Sequence, residues 1–140
     1  MSKRRPFLPA VLLGLAVAGA ARAGEGKPAE PGTSVEMPIL VAPMIVDERL
    51  QGYAYISCTI VGTSPAAAIA IRLKTPFIRD SFVRDVNGEP VVKPDAPDKL
   101  DTDAVRARLL AEARKVIGAD NVAALIFTEV QISPLRTGGE

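Results

Sequence analysis

Between Leu100 and Ser133 the apolar positions change their period. Val105, Leu109, Ala113, Val116 and Ile117 recur every three to four residues, which predicts an amphipathic helix. Asp101 stands where an N-cap belongs, Asp103 complements the positive helix end, and Leu100 can staple against Val105. Gly118 is the expected C-cap. Residues 122–132 then alternate as a strand, with Val122, Ala124, Ile126, Val130 and Ile132 on one face. The other face carries Ala123, Leu125 and Phe127 before turning polar at Glu129, Gln131 and Ser133. This pattern predicts a first half buried on both sides and a second half buried on one. Pro134 stops the strand, and 135–140 read as a tail.

Upstream, residues 39–46 form an apolar strand that Pro43, lacking an N–H, assigns to a sheet edge or a bend. Asp47-Glu48-Arg49 is a polar break. A second strand follows over 50–61, with Ala54, Ile56, Cys58 and Ile60 on one face and Tyr53, Tyr55, Ser57 and Thr59 on the other, so the two strands make a hairpin. Ser64-Pro65 starts a helix over 66–75, with Ile69, Ile71 and Leu73 assigned to burial. Pro76 breaks or kinks it. A second segment, 76–86, sets Ile78, Phe82 and Val86 on one face with Phe77 beside them, and Asp80 and Arg84 at i, i+4. Residues 89–99, with three prolines, read as a loop holding a short extended piece at Val91-Val92. The expected architecture is α+β: a small mixed or antiparallel sheet, made of the N-terminal hairpin and the C-terminal strand, packed against two or three helices over residues 38–134.

The first 23 residues change the picture of charge and compartment. Lys3, Arg4 and Arg5, an apolar run over 11–17 and Ala21-Arg22-Ala23 have the order of a cleavable secretory signal. The pair Arg4-Arg5 followed by Phe7-Leu8 fits a twin-arginine signal or an ordinary charged n-region. A periplasmic location follows, the alternative being the inner membrane, held by an uncleaved N-terminal helix. Residues 24–37, rich in Pro, Gly and Glu, read as a flexible linker. Beyond residue 23 there are 13 Lys and Arg against 16 Asp and Glu, a net charge of −3. No basic patch with interleaved aromatics remains, so nucleic acid is not an expected partner.

Candidate chemistry is sparse. The chain has no histidine, which removes the commonest general base and metal ligand. Cys58 is the one cysteine and sits in an apolar alternating run, where an inert buried thiol is expected. Capping accounts for both acids of Asp101-x-Asp103, so no metal and no cofactor are expected. Catalysis would need a carboxylate pair such as Asp80 with Glu129 in one pocket.

Three stretches resemble a known family: Pro76-Phe-Ile-Arg-Asp80, the helix over 105–117, and the strand over 122–132. They are similar to the FliL family of flagellar basal-body-associated proteins, which shows a P-x-(I/L)-R-D element in a helix. A later amphipathic helix leads there to a V-x-x-(V/I)-x-F-T-(D/E)-F-V-I-Q-like terminal strand. Pro76, Ile78, Arg79 and Asp80 match the first element, and Phe127, Thr128 and Glu129 the core of the last. Val130 stands where an aromatic is usual, and Ser133 where the family tends to Gln. The resemblance implies a non-enzymatic, stomatin/prohibitin-like periplasmic domain. In the family such domains assemble into rings around flagellar stator units, which implies for this chain flagellar stator or basal-body partners, a homo-oligomer and peripheral inner-membrane association. Pro76, Arg79, Asp80 and Arg84 are the candidate interaction residues. The alternative is a periplasmic adaptor or scaffold unrelated to motility.

Overall fold

A central antiparallel strand, β3 (Arg49–Gly62), organises the domain in the computed structural model, which describes residues 32–136. Two strands share one of its edges: β1 (Ser34–Glu36) pairs with Val61 to Thr59, and β2 (Leu40–Val46) with Ile56 to Arg49. The C-terminal strand β6 (Val122–Pro134) runs antiparallel along the opposite edge, from Gly62 to Gly52. Two helices, α1 (Pro65–Gly88) and α2 (Thr102–Ile117), lie on one face of this sheet. Between them a small hairpin joins β4 (Val92–Lys93) to β5 (Ala96–Leu100). The architecture is α+β with antiparallel strands throughout, as expected. The expected signal segment and most of the expected linker lie outside the described residues.

Alternation along β3 builds the core. Ala54, Ile56, Cys58 and Ile60 are buried beneath the helices, while Tyr53, Ser57 and Thr59 are half-buried and Tyr55 exposed on the open face. On β2, Leu40, Ala42 and Met44 point inward, and Pro43 occupies an edge strand where a missing N–H costs no ladder bond. The expected linker is shorter than the pattern suggested. Val35 and Met37 join the core, and the Met37 N–H donates to the Cys58 carbonyl at 2.9 Å.

The β2–β3 connection is a two-residue turn in which Asp47 and Glu48 both have positive φ, 50° and 63°. That is the type I′ geometry whose twist matches paired strands and whose usual occupants are Asn-Gly or Asp-Gly. Glu48 carries a Cβ into the left-handed region without the local hydrogen bonding available to Asp or Asn. Glu48→Gly is therefore expected to raise stability by about 0.5–1 kcal/mol, read as a higher denaturant midpoint at constant m.

The helix after β3 is single rather than broken. The Ser64 Oγ accepts the Ala67 N–H at 3.0 Å, Pro65 fills the first turn, and helical structure continues through Pro76 to Gly88. Pro76 is tolerated because it and Arg72, whose carbonyl loses its donor, are both exposed, so water can satisfy that oxygen. The neighbouring Thr75 hydroxyl donates to the Ile71 carbonyl at 3.1 Å. Ile71, Ile78, Phe82 and Val86 are buried as one stripe, but Ile69 and Leu73 point to solvent.

Helix α2 keeps its expected grammar. Asp101 accepts the Ala104 N–H, Gly118 closes the helix at φ 102°, and Val105, Leu109 and Ala113 are buried. The segment expected to be a loop is instead the β4–β5 hairpin, docked through buried Val91 and Leu100. The Asp101 N–H donates to the Val91 carbonyl at 2.8 Å, so the hairpin base also sets where α2 begins. The faces of β6 likewise differ from strict alternation, because register shifts fall between Ser57 and Cys58 and between Val61 and Gly62. Each bulge inserts one β6 residue, Thr128 or Ala123, and reverses the faces beyond it. Val122, Leu125, Phe127, Val130 and Ile132 thus share the helix side, and the expected double burial of the first half does not occur.

Candidate functional site

The helical repeat places two apolar stripes on opposite sides of α1. The inner stripe is the core described above. The outer stripe steps by four through Ile69, Leu73 and Phe77, which are 56 %, 74 % and 60 % exposed. Pro76, Asp80 and Arg84 lie in the same outward sector, and Arg79 sits on its flank; all four are exposed. The structure brings Asp80 and Arg84 together as an i, i+4 hydrogen-bonded ion pair. Lys74 Nζ stands 5.1 Å from the centre of the Phe77 ring, within cation–π range. Arg79 makes no side-chain hydrogen bond or ion pair among the described residues.

The helix bearing this surface is held from behind. Arg108 on α2 donates through Nε to both carboxylate oxygens of Asp85 at 3.1 and 3.3 Å, and through Nη1 to the Pro90 carbonyl at 2.7 Å. One guanidinium therefore ties the last turns of α1, the start of the β4–β5 segment and α2 together, its Nε–H shared between the two Asp85 oxygens in a charge-assisted contact. The Asp85 side chain is nearly buried and Arg108 is largely covered. Asp80 and Arg84, by contrast, are well exposed, so their pair contributes little to stability.

The remaining matched residues are elsewhere. Phe127 is half-buried against the core, and the Thr128 hydroxyl in the bulge donates to the Ser57 carbonyl at 3.2 Å. Glu129 pairs in register with Ser57, on the open side of the sheet away from the helices. Asp80 and Glu129 are thus on opposite sides of the domain and form no carboxylate pair. Asp103 is engaged by Arg106 at 2.9 Å, and Asp101 by its cap. Burial pushes the Cys58 thiol up to about 11, which keeps it protonated and unreactive at neutral pH.

The outward face of α1 presents aliphatic and aromatic side chains flanked by both signs of charge. Sequence reasoning named Pro76, Arg79, Asp80 and Arg84 but assigned Ile69 and Leu73 to the core. The missed signal was the spacing: Ile69, Ile71 and Leu73 are two apart, and positions two apart on a helix do not share a face. No protein-family model matches the chain, and a search of curated proteins finds no match.

Proposed function

We propose that this domain is a non-enzymatic assembly module of the periplasm that binds a protein partner through the outward face of α1. The observation that carries the reading is the stripe Ile69, Leu73 and Phe77, exposed beside the Asp80–Arg84 pair on a helix whose core is already complete without it. Apolar residues lined up on an exposed helix face gain by being covered, and a charged border gives such a contact its register. The resemblance of Pro76-Phe-Ile-Arg-Asp80 and of the terminal strand to the FliL family supports flagellar stator or basal-body proteins as the partners, with homo-oligomers as the assembled form.

Leu73→Glu and Arg79→Ala test the reading. Both positions are exposed, so each variant is expected to melt within about 0.5 kcal/mol of wild type. Leu73→Glu should abolish self-association, followed by light scattering over a concentration series, and recovery of stator proteins from envelope extracts; Arg79→Ala should weaken both. A wild-type chain that stays monomeric and recovers no envelope protein overturns the proposal. Recovery of envelope proteins that exclude stator components would assign the module to an adaptor outside motility.

A further inference from the structure

The helix layer stops short of the turn end of the sheet. There Met44, Val46, Ile132 and Pro134 of the sheet, with Pro97 of β5, line a cleft of about 800 Å³. That volume lies within the range of ligand-binding sites. The cleft also has a charged border: Asp47, Asp98 and Arg49, exposed and without a side-chain ion pair among the described residues. Beside it, Val130 and Ile132 point to the helix side by their register with Ile56 and Ala54, yet they are 36 % and 43 % exposed. Among the described residues β6 pairs only with β3, so its outer edge carries backbone donors and acceptors with no strand beside them.

We propose that this end of the domain binds an extended segment of a partner protein by strand addition to β6, over Glu129–Pro134. The segment sets an apolar side chain into the cleft and a Lys or Arg beside Asp47 and Asp98. An unpaired edge supplies the main-chain bonds of such a complex, and pockets for alternate side chains supply its selectivity. An added strand alternates its side chains, so every second one falls on the helix side next to Val130 and Ile132, where no helix covers them. The bulge at Thr128 bends the edge and limits docking to the part beyond it. Two carboxylates against one guanidinium set the preference for a cationic residue, because exposed rim charges act mainly on selectivity. The cleft has no lining residue from α1, so this site is independent of the helix surface proposed above.

The probe is a fluorescent heptapeptide alternating threonine and valine and ending in lysine, compared with a counterpart ending in glutamate. Anisotropy titrations of the full chain should show saturable binding of the lysine peptide, about threefold tighter than the glutamate peptide, as expected for a rim charge contact. Ile132→Lys, at a part-exposed position, should weaken binding of the lysine peptide about tenfold while circular dichroism stays that of wild type. Asp47→Asn with Asp98→Asn should remove the preference between the peptides. Absence of saturable binding, or equal affinity for both peptides, overturns the proposal. A concentration-dependent dimer abolished by Ile132→Lys would also overturn it, by giving the edge to a second copy of the chain.

Discussion

Replacing Phe82 with alanine is expected to cost about 3–5 kcal/mol, the largest loss of any single truncation in this domain. Phe82 is 2 % exposed and is the largest fully buried side chain. It sits on the inner stripe of α1 between Ile78 and Val86, within the cluster that joins both helices to the sheet. Truncation removes the transfer energy of the ring and leaves a void that backbone anchored on three sides closes only in part. A domain of this size has a total stability of about 5–15 kcal/mol, so the variant is at the margin of folding. Denaturant unfolding should show a lower midpoint with unchanged m. Phe77→Ala, one turn away on the outer stripe, should stay within about 0.5 kcal/mol of wild type. Equal losses at the two positions would mean that α1 is covered on both sides in solution.

Gly52→Ala should be the second large effect, through crowding rather than a void. A Cβ on Gly52 would stand 2.4 Å from the Ser133 carbonyl oxygen and 2.8 Å from the Pro134 Cα, both backbone atoms. Neither can rotate away, so β6 must move from β3 at its C-terminal end. Overpacking of this kind costs about 1–3 kcal/mol. The displacement should be visible in amide exchange: the Leu135 N–H, which donates to the Gln51 carbonyl at 2.9 Å, should lose protection while α2 amides keep theirs. An unchanged exchange rate at Leu135 would show that the sheet absorbs the methyl group without separating.

Much of this fold was legible because local chemistry and tertiary packing agree. Ser64-Pro65, Asp101 and Gly118 are helix boundaries in the sequence for reasons of backbone hydrogen bonding, and they are boundaries in the structure. The alternation of β3 survives because one face is buried throughout. Three features were hidden for particular reasons. A bulge leaves no mark in the hydropathy of β6, yet the one at Thr128 puts Leu125 and Phe127 on the same side as Val130 and Ile132, and the one at Ala123 adds Val122. Pro76 is a breaker by propensity, but its cost depends on whether the orphaned carbonyl meets water, which only the packing direction decides. The hairpin of β4 and β5 contains Pro94, Pro97 and few apolar residues, and it forms because Val91 and Leu100 anchor its base in the core. On the candidate surface the charged residues were legible as an i, i+4 pair. The apolar stripe beside them was not, since hydrophobicity alone suggests burial where helical phase turns Ile69 and Leu73 to solvent.

The position of β3 at the centre of the sheet also sets the order in which the domain can fold. Its pairing with β2 closes across a two-residue turn, a contact that forms within about 1–10 μs. Its pairing with β6 closes across most of the domain, as between Ser57 and Thr128, 71 positions apart. Non-local closure of that kind is slow, and during synthesis it waits for β6 to emerge. Until then the N-terminal hairpin presents one bare edge of β3, with Ile56, Cys58 and Ile60 uncovered on that side. The nascent domain is therefore most exposed to mispairing until β6 has emerged, and truncations that remove β6 should yield aggregates rather than a smaller folded protein.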